Sequence, residues 1–148
     1  MIVLSAFLHH LAAFTLVACI AIEFTLLRAE FSLWSARRLL ATDLVLGISA
    51  GVLLLAGLAR VFWFEKGAAY YFHNHAFLTK FALFILVALL SIVPTREFLS
   101  WRKAMRAGAL PVIDPARFRR VRMVVHVELA AVAIILLCAA LMAKGGWV

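Results

Sequence analysis

A helix that crosses a hydrocarbon core roughly 30 Å thick needs about 20 consecutive apolar residues. This chain offers that length four times, over about 2–27, 40–64, 76–95 and 123–142. Hydrophobic residues make up 67% of its 148 positions and charged ones 15%, with the charges gathered between the apolar runs. Its mean hydropathy of +1.08 lies far above that of a water-soluble domain. The expected fold is all-α: one integral membrane domain over residues 1–148, an antiparallel four-helix bundle. The connections are too short to hold a soluble domain. No basic segment precedes the first run, so it is expected to stay as a span rather than leave as a secretory leader.

The net charge of +8 sets orientation. Arg28, Arg37 and Arg38 lie in or beside the first connection, and Arg96, Arg102, Lys103, Arg106, Arg117, Arg119, Arg120 and Arg122 surround the third. Glu65 and Lys66 in the second nearly cancel. Basic connections stay in the cytoplasm. That places both termini and the second connection outside, as in a multi-pass protein of the bacterial inner membrane. The arginines then serve topology and anionic lipid headgroups. No aromatic-interleaved basic surface accompanies them, so nucleic acid is not an expected partner. Cys19 and Cys138 are isolated within apolar runs and read as packed thiols. Gly47, Ala50, Gly51 and Gly57 form a small-residue face on the second helix, suited to close packing within the chain.

Ionisable residues inside a bilayer are costly, so each is a candidate for function. Chain direction sorts them into two groups. His9, His10, Arg60 and Lys80 fall on the outer side, with His73 and His75 in the adjoining connection. Glu23, Asp43, His126 and Glu128 fall on the cytoplasmic side. Adjacent helical residues differ by about 100°, so only one of His9 and His10 points squarely inward. His9 shares a face with Ala13, Leu16, Ile20 and Glu23. Neutral imidazole is a good axial ligand for haem iron, and cations suit its propionates. His9 or His10 could supply one ligand, His73, His75 or Lys80 could oppose it, and Arg60 or Lys66 could meet propionates. Against this stands a plain alternative, in which these histidines bond neighbours or water and the cations reach outward to the interface. For the second group, Glu23, Asp43 and Glu128 are expected to pair with Arg28, Arg38 or Arg122 and lock helix ends. Alternatively they form a proton path. His126 and Glu128 lie about 200° apart on their helix and need different partners.

The segments "FLHHLAAFTLVACIAIEFTLLR", "LARVFWFEKGAAYYFHN", "KFALFILVALLSIVPTREFLSWR" and "HVELAAVAIILLCAALMAKG" together resemble a family of small bacterial predicted membrane proteins without assigned activity. More distantly, the order of features resembles the four-helix membrane protoporphyrinogen oxidases, which bind haem b. His9 or His10 stands where that family has an early histidine, "LLRAEF" and "SARRLLA" resemble its arginine-containing stretch, Lys80 matches a lysine, and Glu128 matches an acidic residue opening the last helix. The family's Pro-Thr after that acidic residue is "ELAA" here. The resemblance implies haem b held through His10, with Lys80 and Glu128 in catalytic roles. It also implies electrons leaving to a quinone or another membrane redox partner. Two other expectations stand beside it. One is an accessory or assembly subunit packed on a larger membrane complex. The other is proton or small-solute conduction by a homo-oligomer.

Overall fold

The computed structural model describes residues 2–64 and 67–144. Lys66, a candidate for the propionates, lies outside them. The described elements are all helical: α1 (Ile2–Leu26), α2 (Leu33–Ala59), α3 (Ala68–Phe72), α4 (His75–Leu90), α5 (Ile92–Ser100), α6 (Arg102–Arg106) and α7 (Pro115–Ala143). The last turn of α2 widens into π geometry over Arg60–Phe64. Four helical runs are long and apolar enough to cross a membrane: Ile2–Leu26, Leu33–Trp63, His75–Arg106 and Pro115–Ala143. They correspond to the four expected spans.

The helices exceed those spans beside the basic connections, because caps and not hydropathy decide where a helix starts. α2 begins at Leu33 rather than Leu40. The Ser32 hydroxyl accepts from the Ser35 N–H at 3.1 Å, and the Ser35 hydroxyl accepts from the Ser32 N–H at 2.8 Å. α7 begins at Pro115 rather than Met123. The Asp114 carboxylate accepts from the Ala116 N–H at 2.9 Å, and proline at the first helical position needs no hydrogen-bond acceptor. α4 starts on Asn74, whose side-chain oxygen accepts from the Phe77 N–H at 3.0 Å.

Pro94 interrupts the third span as its sequence suggests. Lacking an N–H, it leaves the Leu90 carbonyl without its helical donor, and the chain breaks at Ser91 before continuing as α5. Ser91 and Thr95, on either side of Pro94, are side-chain donors to groups on other helices.

α1 packs extensively on α2, and α4 on α7; α1 also meets α7, and α2 meets α5. The core is apolar, built on Leu16, Ile20, Leu39, Val87, Phe98 and Val125. Near the basic connections it closes with an aromatic cluster. The Trp101 ring lies 5.3 Å from Phe31 and 5.1 Å from Phe98, and Phe31 lies 5.9 Å from Phe118. Phe31 belongs to the first connection, and Trp101 and Phe118 flank the third, so both basic connections share one end of the molecule. Phe14, Leu44, Leu55, Leu89 and Leu137 are exposed. Such an apolar exterior around a filled core suits lipid rather than water.

Candidate functional site

Three carboxylates from three helices meet toward the basic end. Glu23 of α1 and Glu128 of α7 are 0% exposed and Asp43 of α2 is 6% exposed. Each lies within electrostatic range of the others. The expected arginine partners are not there. Arg28 donates to the Phe24 carbonyl at 3.1 Å and lies 3.5 Å over the Phe24 ring, while Arg38 lies 5.3 Å from the centre of the Trp34 ring. No ion pair joins Arg28, Arg38 or Arg122 to the three carboxylates among the described residues. A guanidinium beside the interface keeps its hydration and gains a ring face, whereas reaching the core would desolvate it.

Hydroxyls take that place. Thr95 donates to Asp43 at 2.7 Å, and Ser91 donates to Glu128 at 2.5 Å. The Ser91 hydroxyl is also 2.9 Å from the Val87 carbonyl. One hydroxyl hydrogen cannot fully serve two acceptors. A proton on Glu128, given to the Ser91 oxygen, would satisfy both contacts. Both carboxyl oxygens of Glu23 are buried with no hydrogen-bond partner, as is the second oxygen of Glu128. An ionised, unpartnered carboxylate in such surroundings is very costly, so this arrangement suits groups that carry protons. His126 stands apart from Glu128, stacked 5.8 Å from the Phe24 ring, as the 200° phase difference requires.

Two cavities adjoin the cluster. One, of about 290 Å³, is lined by Leu16, Ile20, Asp43, Ser91 and Thr95. The other is a lateral cleft of about 850 Å³ with Arg37, Arg102 and Arg106 on its wall and Asp43 and Thr95 shared with the first. Gly47 lines both, and a Cβ there would meet nothing within 4 Å. Gly51 is equally open. The close-packing role expected of these two glycines is therefore not what they do within this chain. Gly57 alone faces a neighbour, since a Cβ there would stand 3.3 Å from the His9 ring.

At the other end, His9 is the inward histidine. It is half-buried, its buried Nδ1 makes no hydrogen bond of good geometry although the Leu53 backbone interacts with the ring, and Arg60, Lys80 and His10 lie within electrostatic range. His10, the sequence-based choice for iron, is exposed, with Nδ1 at 2.6 Å from the Ala6 carbonyl. The two rings meet edge to face at 5.9 Å. His73 is exposed and bonds the Ala69 carbonyl at 2.7 Å, His75 is exposed at the start of α4, and Lys80 lies 5.6 Å from the Phe77 ring centre. Among the described residues, no three His, Cys, Asp or Glu side chains converge closely enough to hold a metal ion. Cys19 and Cys138 are buried free thiols.

Sequence reasoning placed Glu23, Asp43 and Glu128 at one end but missed Ser91 and Thr95. The available signal was their four-residue spacing around Pro94, which puts both hydroxyls on one face beside a broken backbone. It also missed Glu97, which accepts from the Trp101 indole N–H at 3.2 Å and faces Arg117 at 3.6 Å.

No curated protein and no solved structure matches this chain, and the likeness to protoporphyrinogen oxidases finds no support in these comparisons. A family model described as "Predicted membrane protein (DUF2214)" matches residues 2–146. With almost the whole length covered and four helices of membrane-crossing length and composition, the chain belongs to the DUF2214 family of predicted membrane proteins.

Proposed function

We propose that this protein takes up and passes protons within the bacterial inner membrane, through the Glu23–Asp43–Glu128 cluster. The observation that carries the reading is Glu23, fully buried with two unpartnered oxygens beside two further carboxylates. An antiparallel bundle with both termini outside is part of the proposal. In support, His9 of α1 meets Gly57 near the end of α2, while Glu23 interacts with Asp43 earlier in α2. The cluster then opens toward the cytoplasm through the lateral cleft. Asp43 and Thr95, which line both cavities, form the entry. A proton accepted from water by the Asp43 carboxylate is matched by one that Glu128 gives up through Ser91 to water in the small cavity, so the cluster's net charge is unchanged over one passage. The small cavity has room for water, and Asp43, Thr95 and Ser91, which bonds Glu128, supply polar partners on its otherwise apolar wall. His9 lies on the order of 20 Å along α1 from Glu23 at ~1.5 Å per residue. Leu16 and Ile20 lie between them and line the small cavity together with Asp43 and Ser91, so water in that cavity would be the route past them.

Proton entry into vesicles containing a trapped pH-sensitive dye tests this. Under a potassium-diffusion potential, reconstituted protein should acidify the lumen faster than protein-free vesicles do. Asp43→Asn should slow that entry several-fold. Equal rates with and without protein would reject the proposal.

A second reading is favoured by one observation at the other end. The half-buried His9 ring, held only by a weak contact with the Leu53 backbone, lies beside two cations, which suits a haem b bearing propionates. His9 would offer a ligand nitrogen, and Arg60 and Lys80 would hold the carboxylates. Bound there, haem would supply one-electron redox chemistry. Protein purified in mild detergent from haem-replete cells should then show a Soret band that shifts on reduction and is lost in His9→Ala. Colourless protein from such cells would dismiss this reading without touching the first.

A further inference from the structure

We infer that the lateral cleft between α2, α5 and α6 is a binding site for an anionic phospholipid of the leaflet beside the basic connections. Arg37 from the first turns of α2 and Arg102 and Arg106 from α6 form a cationic rim, while Leu40, Leu44, Ile48 and Leu99 form a largely apolar trough; Asp43 and Thr95 also stand on its wall, so a bound lipid would lie over the proposed proton entry. Arg102 and Arg106 are four apart and share one helix face. All three arginines are exposed, and none makes an ion pair with a carboxylate among the described residues.

Three observations select a lipid over other occupants. The first is charge: three guanidiniums on the rim of one cleft match a phosphate, which guanidinium forks bind in bidentate fashion. The second is length. From Arg37 to Ile48 the cleft runs roughly 16 Å along α2 at ~1.5 Å per residue. That is about half of a ~30 Å hydrocarbon core, the depth of one leaflet. An acyl chain whose phosphate sits on the arginines would therefore end beside Ile48. The third is room. The cleft holds about 850 Å³, and Gly47 at its far end leaves open the space a side chain would fill. A free phosphate would use the rim and leave the trough empty; a neutral quinone would use the trough and leave the rim unmatched.

The full-length protein purified in mild detergent, exchanged into nanodiscs of phosphatidylglycerol and phosphatidylethanolamine in equal parts, provides the test. After release from the disc, native mass spectrometry reads the lipid that stays bound. Wild type should retain phosphatidylglycerol over phosphatidylethanolamine by about 10-fold. The double variant R102A/R106A should lose most of that preference, since each basic group near an anionic membrane surface is worth roughly five-fold in affinity. Gly47→Leu, which fills the far end of the trough where the acyl chain would finish and leaves the arginines in place, should lose retention as well, with an unchanged circular dichroism spectrum. Equal retention of the two lipids, full retention in Gly47→Leu, displacement by inorganic phosphate alone, or recovery of a quinone in place of lipid would each overturn the assignment. Should Gly47→Leu misfold, the lipid preference of the arginine variant decides by itself.

Discussion

Replacing Glu23 by glutamine is expected to abolish proton entry, bringing the rate down at least about 10-fold to the leak of protein-free vesicles. Glutamine keeps the shape of the side chain and removes the exchangeable carboxyl proton, so a loss would report proton handling rather than packing. The companion variant Glu23→Leu has a different expected result. Both Glu23 oxygens are buried without a hydrogen-bond donor, and the side chain is 0% exposed. Removing an unsatisfied buried polar group in favour of an apolar one of similar volume is stabilising by about 1–3 kcal/mol. Glu23→Leu should therefore melt at a higher temperature in detergent while conducting no better than Glu23→Gln. Retained flux in Glu23→Gln would refute the role of Glu23. A destabilised Glu23→Leu would show instead that the carboxyl has a structural partner. The two measurements fail separately, so the packing claim survives even where no flux is found.

The same residue shows how far sequence reaches. Helical phase alone put His9 and Glu23 on one face of α1 and allowed only one of the paired histidines to point inward. His9 is that residue, and it shares the α1 side that meets α2. The burial of Glu23, Asp43 and Glu128 was equally legible, since their positions within apolar runs leave little choice. Their partners were not. An arginine has the length to reach a carboxylate, a ring or a backbone carbonyl from one helical position, and Arg28 takes the Phe24 ring and carbonyl. Serine and threonine in helices ordinarily bond the carbonyl four residues back. Their spacing around Pro94 marked them as a pair on one face, but not that they would turn to Glu128 and Asp43. The glycines misled for a related reason. A small-residue face permits a close helix crossing but does not require one, and Gly47 borders a cleft instead.

Phe98→Ala is expected to carry the largest loss of stability, about 3–5 kcal/mol. Phe98 is 0% exposed and packs 5.1 Å from the Trp101 ring, within the aromatic cluster that joins both basic connections. Lipid tails are as apolar as the side chain, so burial from water contributes little between membrane helices and packing carries the association. Truncating the ring removes many close contacts at once and leaves a void that the surrounding Leu39, Trp101 and Val121 cannot fill without moving. The consequence extends to the carboxylate site. Phe98 lies on α5 one turn beyond Thr95, and α5 is the element that holds the Thr95 hydroxyl against Asp43 at 2.7 Å. Loosening α5 should therefore lower the melting temperature and also slow proton entry, although Phe98 touches no proton-carrying group. Phe98→Leu, which keeps most of the volume, should recover most of both. A Phe98→Ala protein that melts within about 1 kcal/mol of wild type would mean that α5 is fixed by its polar contacts. In that case Thr95→Val, rather than the loss of an aromatic ring, should be the substitution that releases it.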